Sequence, residues 1–212
     1  LCESCQHAPV TDSAGKKEYV RCETRSWSSR VTDFVPGAFT IEMHRDWAPI
    51  GYDRFMELVK DDFFTDQLIY RTIPGFLVQF GVHGDPAVQG KWNGKRLQDD
   101  KAVRGLGFDK GLVSFAGNGK NSRSTHIFIA DMPHGRTLGK AAHERPFGKI
   151  VDNVDVLDSF HDHGYGDVTS LQSKLMHFGN SAADDYPKLP RLTKCEVILK
   201  EQHEKLIGAK GE

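Results

Sequence analysis

The chain predicts a mainly all-β fold, a barrel of short strands with helical lids. Three observations predict it. Short runs rich in β-branched and aromatic residues recur between Phe39 and Leu199. Only two segments carry modest helical spacing, and Gly-rich polar stretches connect the rest. Periodicity alone also admits a sandwich or an α+β arrangement.

Each element has its own signal. Residues 1–36 are polar, with Ser26-Trp27-Ser28-Ser29 and few periodic apolar positions. They read as an extended arm that docks through Val20, Trp27 and Val31. Phe39, Ile41 and Met43 alternate with Thr40, Glu42 and His44, the period of a half-buried strand. Trp47-Ala48-Pro49 opens a helix, with Pro in its tolerated first-turn position. Phe55, Leu58 and Val59 keep helical spacing through Gly51 to Lys60, and Phe63-Phe64 closes that element. β-Rich sequence returns from Ile69 to Phe80. Gly81 to Gly107 reads as loop, punctuated by Asp85-Pro86, Gly90 and Asn93-Gly94. Leu112 to Phe115, Ile127 to Ala130 and Pro146 to Val151 read as strands. Asn153 to Phe160 reads as a short helix with Val154, Leu157 and Phe160 on one side. Gly164 to Pro190 is a long irregular insertion. Lys194 to Leu199 is a closing strand, and 201–212 is a tail with a helical turn. The expected division is therefore an arm (1–36), a main domain (37–200) and the tail.

The 212 residues suffice for one domain with a sizeable core and an appendage. The formal net charge of −1 implies no bulk attraction to nucleic acid or anionic lipid. No apolar run approaches the ~20 residues of a membrane-spanning helix. The chain begins at Leu1 without a signal-peptide pattern, which reads as a mature form or a fragment. The cysteines are Cys2, Cys5, Cys22 and Cys195. Cys2-x-x-Cys5 has no second ligand pair nearby, so zinc is not the expected reading. A disulfide such as Cys5–Cys22 and free thiols stand as alternatives. Cys195 is expected to be a small buried hydrophobe. The clustered cysteines point to an oxidising lumen, with a cytoplasmic setting as the alternative.

Two tracts carry chemistry. Tyr70-Arg71-Thr72-Ile73-Pro74-Gly75-Phe76-Leu77-Val78-Gln79-Phe80-Gly81 sets a permanent cation and an amide inside an apolar run. Polar groups of this kind cost free energy when buried without partners, so a cleft suits them better than a dry core. The tract resembles the F-x-R-x-I-P-G-F-x-x-Q-x-G signature of the cyclophilins, a class of peptidyl-prolyl cis/trans isomerases. Gly111 to Ile129, containing Ser114-Phe115-Ala116-Gly117 and Ser124-Thr125-His126-Ile127-Phe128-Ile129, is similar to a second stretch of that family. The resemblance covers roughly Gly37 to Leu199. It implies an eight-stranded antiparallel barrel closed at each end by a helix.

The implied chemistry needs no nucleophile, metal or cofactor. Amide resonance sets a barrier of ~18–20 kcal/mol to rotation, and the X–Pro bond has only a small trans preference. A catalyst must favour the twisted amide, whose nitrogen gains a lone pair. A guanidinium stays protonated and donates toward that nitrogen. The resemblance carries this role to Arg71 and makes Gln79 its orienting partner and a backbone binder. It places Phe76, Leu77 and Phe128 around the proline ring, with Leu138 as a fourth wall. Leu77 replaces a common Met, a nearly volume-conserving change. Ala116 lines the neighbouring groove. Gly117 stands where Asn is usual, and its backbone remains able to bind a peptide strand. His126 stands where Gln is usual, and its charge is expected to respond to mild acid.

The loop Leu138 to Lys149 departs most. The family pattern W-L-D-G-K-H-x-V-F-G-K aligns at Pro146-Phe147-Gly148-Lys149, but Thr137 replaces the Trp and the loop is longer. His143 is the nearest counterpart of the family's histidine. Because that Trp is a main cyclosporin contact in the family, tight cyclosporin binding is not expected. His161-x-His163 with Asp162 reads as a solvent-facing helix end rather than a metal site. The expected partners are proline-containing peptides or proteins. A weakly active binding subunit, contacting an assembly through the arm and the 164–190 insertion, is the alternative.

Overall fold

The computed structural model describes residues 17–132 and 138–209. Its strands are β1 (Tyr19–Ser28), β2 (Asp33–Met43), β3 (Gln67–Leu68), β4 (Arg71–Ile73) and β5 (Leu77–Phe80). They continue with β6 (Leu112–Phe115), β7 (Ile127–Ala130), β8 (Pro146–Asp152) and β9 (Arg191–Ile198). All pair antiparallel, in the order β3-β9-β1-β2-β8-β6-β7-β5-β4. The two ends of this order, β3 and β4, are separated in the chain only by Ile69 and Tyr70. Backbone bonds from Ile69 N to Pro190 O (2.8 Å) and from Tyr70 N to Gln79 O (3.2 Å) bridge that break. The sheet thus curls back on itself. Counting β3 and β4 as one bent strand gives the eight strands expected.

Period-two alternation sorts each strand into two faces. Val78, Phe80, Val113, Phe115, Ile127 and Ile129 join the interior core. Helix α1 (Pro49–Lys60) adds Tyr52, Phe55, Met56, Leu58 and Val59 to that core, and α3 (Val156–Ser159) adds Val156 and Leu157. These are the two lids. The start of α1 has no side-chain cap of its own. Instead Asp100 accepts from Ile50 N (2.8 Å) and Gly51 N (2.9 Å). Asp100 pairs at 2.8 Å with Arg123, whose side chain is fully buried. A buried cation without a partner would be strongly destabilising. The pair therefore ties the loop before β7 to the lid.

The arm is corrected. Of its described part, residues 17–36, residues 19–28 form β1, hydrogen-bonded between β2 and β9, and residues 33–36 already belong to β2. Val20, Cys22, Thr24 and Ser26 are buried while Glu23 and Arg25 are exposed. Half the inward positions are small polar residues, so counting hydrophobes missed the strand. Val20 is buried and Trp27 half-buried, but Val31 is 62% exposed and does not dock. Residues 1–16, including Cys2 and Cys5, lie outside the described residues.

The cysteine expectation is also corrected. Cys22 pairs with Cys195, not Cys5. The two stand opposite each other in the β1–β9 register, 4.1 Å apart at Cα. Cys195 is buried as expected but is half of a cross-link.

The expected loop at 81–107 contains α2 (Pro86–Trp92), capped by Asp85 through Ala87 N at 2.7 Å. Asp-Pro is a turn signal and equally an N-cap followed by a first-turn proline. The insertion contains α4 (Leu171–Phe178) and a 3-10 turn (Gly179–Ala183). The tail is α5 (Lys200–Gly208), whose His203 is buried and stacks on Tyr19 at 4.6 Å.

Candidate active site

Strand register builds the site. Arg71 pairs with Gln79, Gln79 with Phe128, and Phe128 with Ser114 across β4, β5, β7 and β6. The faces opposite the core gather Leu77, Phe128 and Ala130 with Leu112, Met132 and Phe108 in a second cluster. Phe76, Ala116 and Leu138 pack partly buried against it. The structure therefore brings together all four expected proline-pocket residues and Ala116. Phe108, almost wholly buried, stacks on Phe128 with ring centres 5.5 Å apart.

Arg71 is partly exposed at the rim. Its Nη1 donates to Gln79 Oε1 at 3.1 Å, and its guanidinium carbon lies 5.7 Å from the Phe76 ring centre. Its Nε is buried and has no partner among the described residues. Arg71 makes no ion pair with a described carboxylate. Asp167, held below its ordinary pKa chiefly by hydrogen bonds from Thr169, also feels the Arg71 charge.

Gln79 is buried, and its Nε2 donates to Tyr70 Oη at 3.0 Å and, more weakly, to Gln172 Oε1 at 3.5 Å. Tyr70 Oη lies 2.8 Å from His126 Nδ1. Burial pushes the Tyr70 phenol well up and the His126 imidazole down to about 4. This corrects the expectation that mild acid charges His126. The ring is neutral there because its environment cannot solvate the cation.

The loop wall is tied down by backbone bonds and by side chains that bond the backbone. Ala116 N donates to His126 O at 2.9 Å, holding the start of this loop to β7. Asp99 N bonds Asn121 Oδ1 (2.8 Å) and Asn121 N bonds Asp99 Oδ2 (2.9 Å), anchoring it further. The longer 138–145 loop is knit by Glu144, whose Oε2 accepts from Gly139 N (2.7 Å) and Ala141 N (3.2 Å). Arg145 Nη1 closes it on Ala141 O at 2.9 Å. The fold-back lays His143 over Gly117, where a Cβ would meet the ring Cγ at 2.9 Å and Ser122 Oγ at 2.7 Å. Gly117 and His143 are thus sterically linked, since a larger residue at 117 needs the imidazole and Ser122 to move.

A family model for cyclophilin type peptidyl-prolyl cis-trans isomerase/CLD matches residues 29–179. The chain belongs to the cyclophilin-type peptidyl-prolyl cis/trans isomerases. Peptidyl-prolyl cis-trans isomerase 10 of Caenorhabditis elegans is 31% identical over 164 residues, 70% of this chain and 94% of that one. Human peptidyl-prolyl cis-trans isomerase-like 3 is 30% identical over 131 residues, 58% of this chain and 74% of that one. In the Rhizopus delemar peptidyl-prolyl cis-trans isomerase-like 2 the match, 31% identical, spans 66% of this chain but only 25% of that longer protein. A crystal structure of a Cryptosporidium parvum cyclophilin type isomerase superposes with a TM-score of 0.59 at 18% identity, over 86% of this chain and 98% of that one. This last likeness speaks to the fold alone.

The insertion meets the site through a core of its own. Val168, Leu171, Leu175, Ala183 and Leu189 form a separate small core with Leu68, Tyr70 and Val82. That core covers Tyr70 and brings Gln172 to Gln79. His163 Nε2 contacts Thr72 Oγ1 at 2.8 Å, while His161 Nε2 contacts Asp131 Oδ2 at 2.8 Å. The two histidines serve different partners. Among the described residues no three His, Cys, Asp or Glu side chains gather as a metal site. Thr137, the position of the absent Trp, lies outside the described residues.

Sequence reasoning missed Phe108, Tyr70 and Gln172. Phe108 is a lone aromatic in a polar stretch with no period to reveal it. Tyr70 sits at the strand break, where alternation fails. Gln172 reaches the site only through the tertiary fold of the insertion.

Proposed function

We propose that Arg71 is the catalytic residue for X–Pro rotation and that Gln79 holds it. The observation that carries this reading is a guanidinium tied to a glutamine carbonyl, free of any described carboxylate, in one strand row with Phe128. Phe76, Leu77, Phe128 and Leu138 take the proline ring. Ala116, Gly117, His126 and His143 line the adjoining groove for the peptide backbone. As the amide twists, its nitrogen becomes an acceptor and Arg71 donates to it in a partly dry site. The protein substrates are proline-containing chains whose folding or switching the rotation assists. The Cys22–Cys195 cross-link favours an oxidising compartment.

The test is an NMR exchange measurement on an Ala-Pro peptide. Wild type is expected to accelerate exchange, and Arg71→Ala to lose about 100-fold while keeping its amide spectrum. Acceleration retained by Arg71→Ala would sink the assignment.

One observation favours a second role. Phe178, the last residue of α4 in the insertion, is 65% exposed. An assembly contact through 164–190 would cover it. Co-purification lost with Phe178→Ser, with exchange activity intact, would support that role.

A further inference from the structure

Tyr70 joins the two halves of the groove through one hydroxyl. An amide nitrogen only donates, so Gln79 Nε2 at 3.0 Å occupies a lone pair of Tyr70 Oη. The hydroxyl's single proton has two acceptors in reach, His126 Nδ1 at 2.8 Å and Phe80 O at 3.4 Å. The shorter contact takes it. Nδ1 is then an acceptor, and the proton of the neutral ring must sit on Nε2. Nε2 makes no hydrogen bond to a described residue, and His126 as a whole residue is only half-buried, its backbone carbonyl accepting from Ala116 N. Gln79 is fixed by the same logic. Arg71 only donates, so the glutamine oxygen faces Arg71 and its nitrogen faces Tyr70.

We infer that Tyr70 is a positioning residue that holds His126 as the Nε2–H tautomer, a standing donor for a carbonyl of the bound peptide, while aligning Gln79 toward Arg71. His126 thereby presents a donor as a glutamine amide would, with its direction set from behind. Val168, Leu171 and Leu175 of the insertion pack in the same small core as the Tyr70 ring, so the insertion serves the groove by keeping this hydroxyl in place. The identity of the ligand rests on the isomerase reading, but the tautomer does not.

The experiment is ¹⁵N NMR of the labelled His126 ring at neutral pH, with titration of a proline-containing peptide. Wild type is expected to show protonated Nε2 and unprotonated Nδ1. Tyr70→Phe, which keeps the ring volume, is expected to mix the tautomers and weaken peptide affinity about 2- to 10-fold, the worth of one hydrogen bond. In a His126→Gln background, where the amide carries its own donor, the Tyr70→Phe loss is expected to shrink. Protonated Nδ1 in wild type would overturn the inference, because the Tyr70 proton then goes to Phe80 O. An unchanged tautomer in Tyr70→Phe would also overturn it. The expected tautomer and affinity changes in a chain that fails to accelerate exchange would support it and sink the isomerase reading alone.

Discussion

The two walls of the proposed groove hold their residues by different means. On one wall, Arg71, Gln79, Leu77 and Phe128 stand on adjacent strands, and ladder register alone sets their spacing. A register slip would turn every one of them to the other face. On the other wall, His143 and Gly117 are placed by the loop that Glu144 and Arg145 knit, while the insertion brings Gln172 to Gln79 from outside. The proposed chemistry sits where geometry cannot drift. The largest departure from the family pattern, the longer 138–145 loop, sits where a loop can be refitted around it.

Breaking the strand wall should have the largest effect. Phe128→Ala removes the pocket floor and its stacking on Phe108. It is expected to cost about 3–5 kcal/mol of stability in urea unfolding and most of the isomerase activity. Retained activity would show that the pocket is built elsewhere.

The insertion should matter less, and locally. Leu175→Ala is expected to loosen its small core by about 2 kcal/mol. Hydrogen exchange should quicken across 165–190 while the barrel strands stay protected. Uniform loss of protection would mean that the insertion is integral to the barrel core.

Gly117→Asn tests the loop wall alone. The added side chain meets His143 and Ser122, both able to move, at a cost of about 1 kcal/mol, roughly fivefold in peptide affinity. His143→Ala in the same chain should relieve the clash. Additive losses would separate the two positions.

The smallest effect is an absence. His126 in the folded chain is expected to titrate near the value of about 4, so its NMR shifts should stay flat from pH 5.5 to 8. The unfolded imidazole takes a proton near 6.5. Between those values the unfolded chain binds more protons, so this group's contribution to stability falls as pH drops from 6.5 toward 4. A His126 midpoint near 6.5 would show that the ring is solvated.

These walls also differ in what the sequence shows. Arg71, Phe76, Gln79 and Phe128 are legible because two contiguous tracts carry them, and both tracts resemble stretches of the cyclophilin family. Strand β1 was hidden because Thr24 and Ser26 fill inward positions that usually hold hydrophobes. Gln172 and Phe108 were hidden for another reason, since nothing local marks a residue whose neighbours arrive from 93 positions away, as Gln79 does for Gln172. The Cys22–Cys195 pairing depends on the β1–β9 register, which no spacing of cysteines encodes.

That cross-link spans a sequence separation of 173. In chain-entropy terms it is worth about 5 kcal/mol against the unfolded state. It also makes most of the polypeptide a covalent ring. A single proteolytic nick anywhere between Cys22 and Cys195 opens the ring without releasing a piece. On a gel the nicked protein should run as one band until a reductant is added, and only then separate into two fragments.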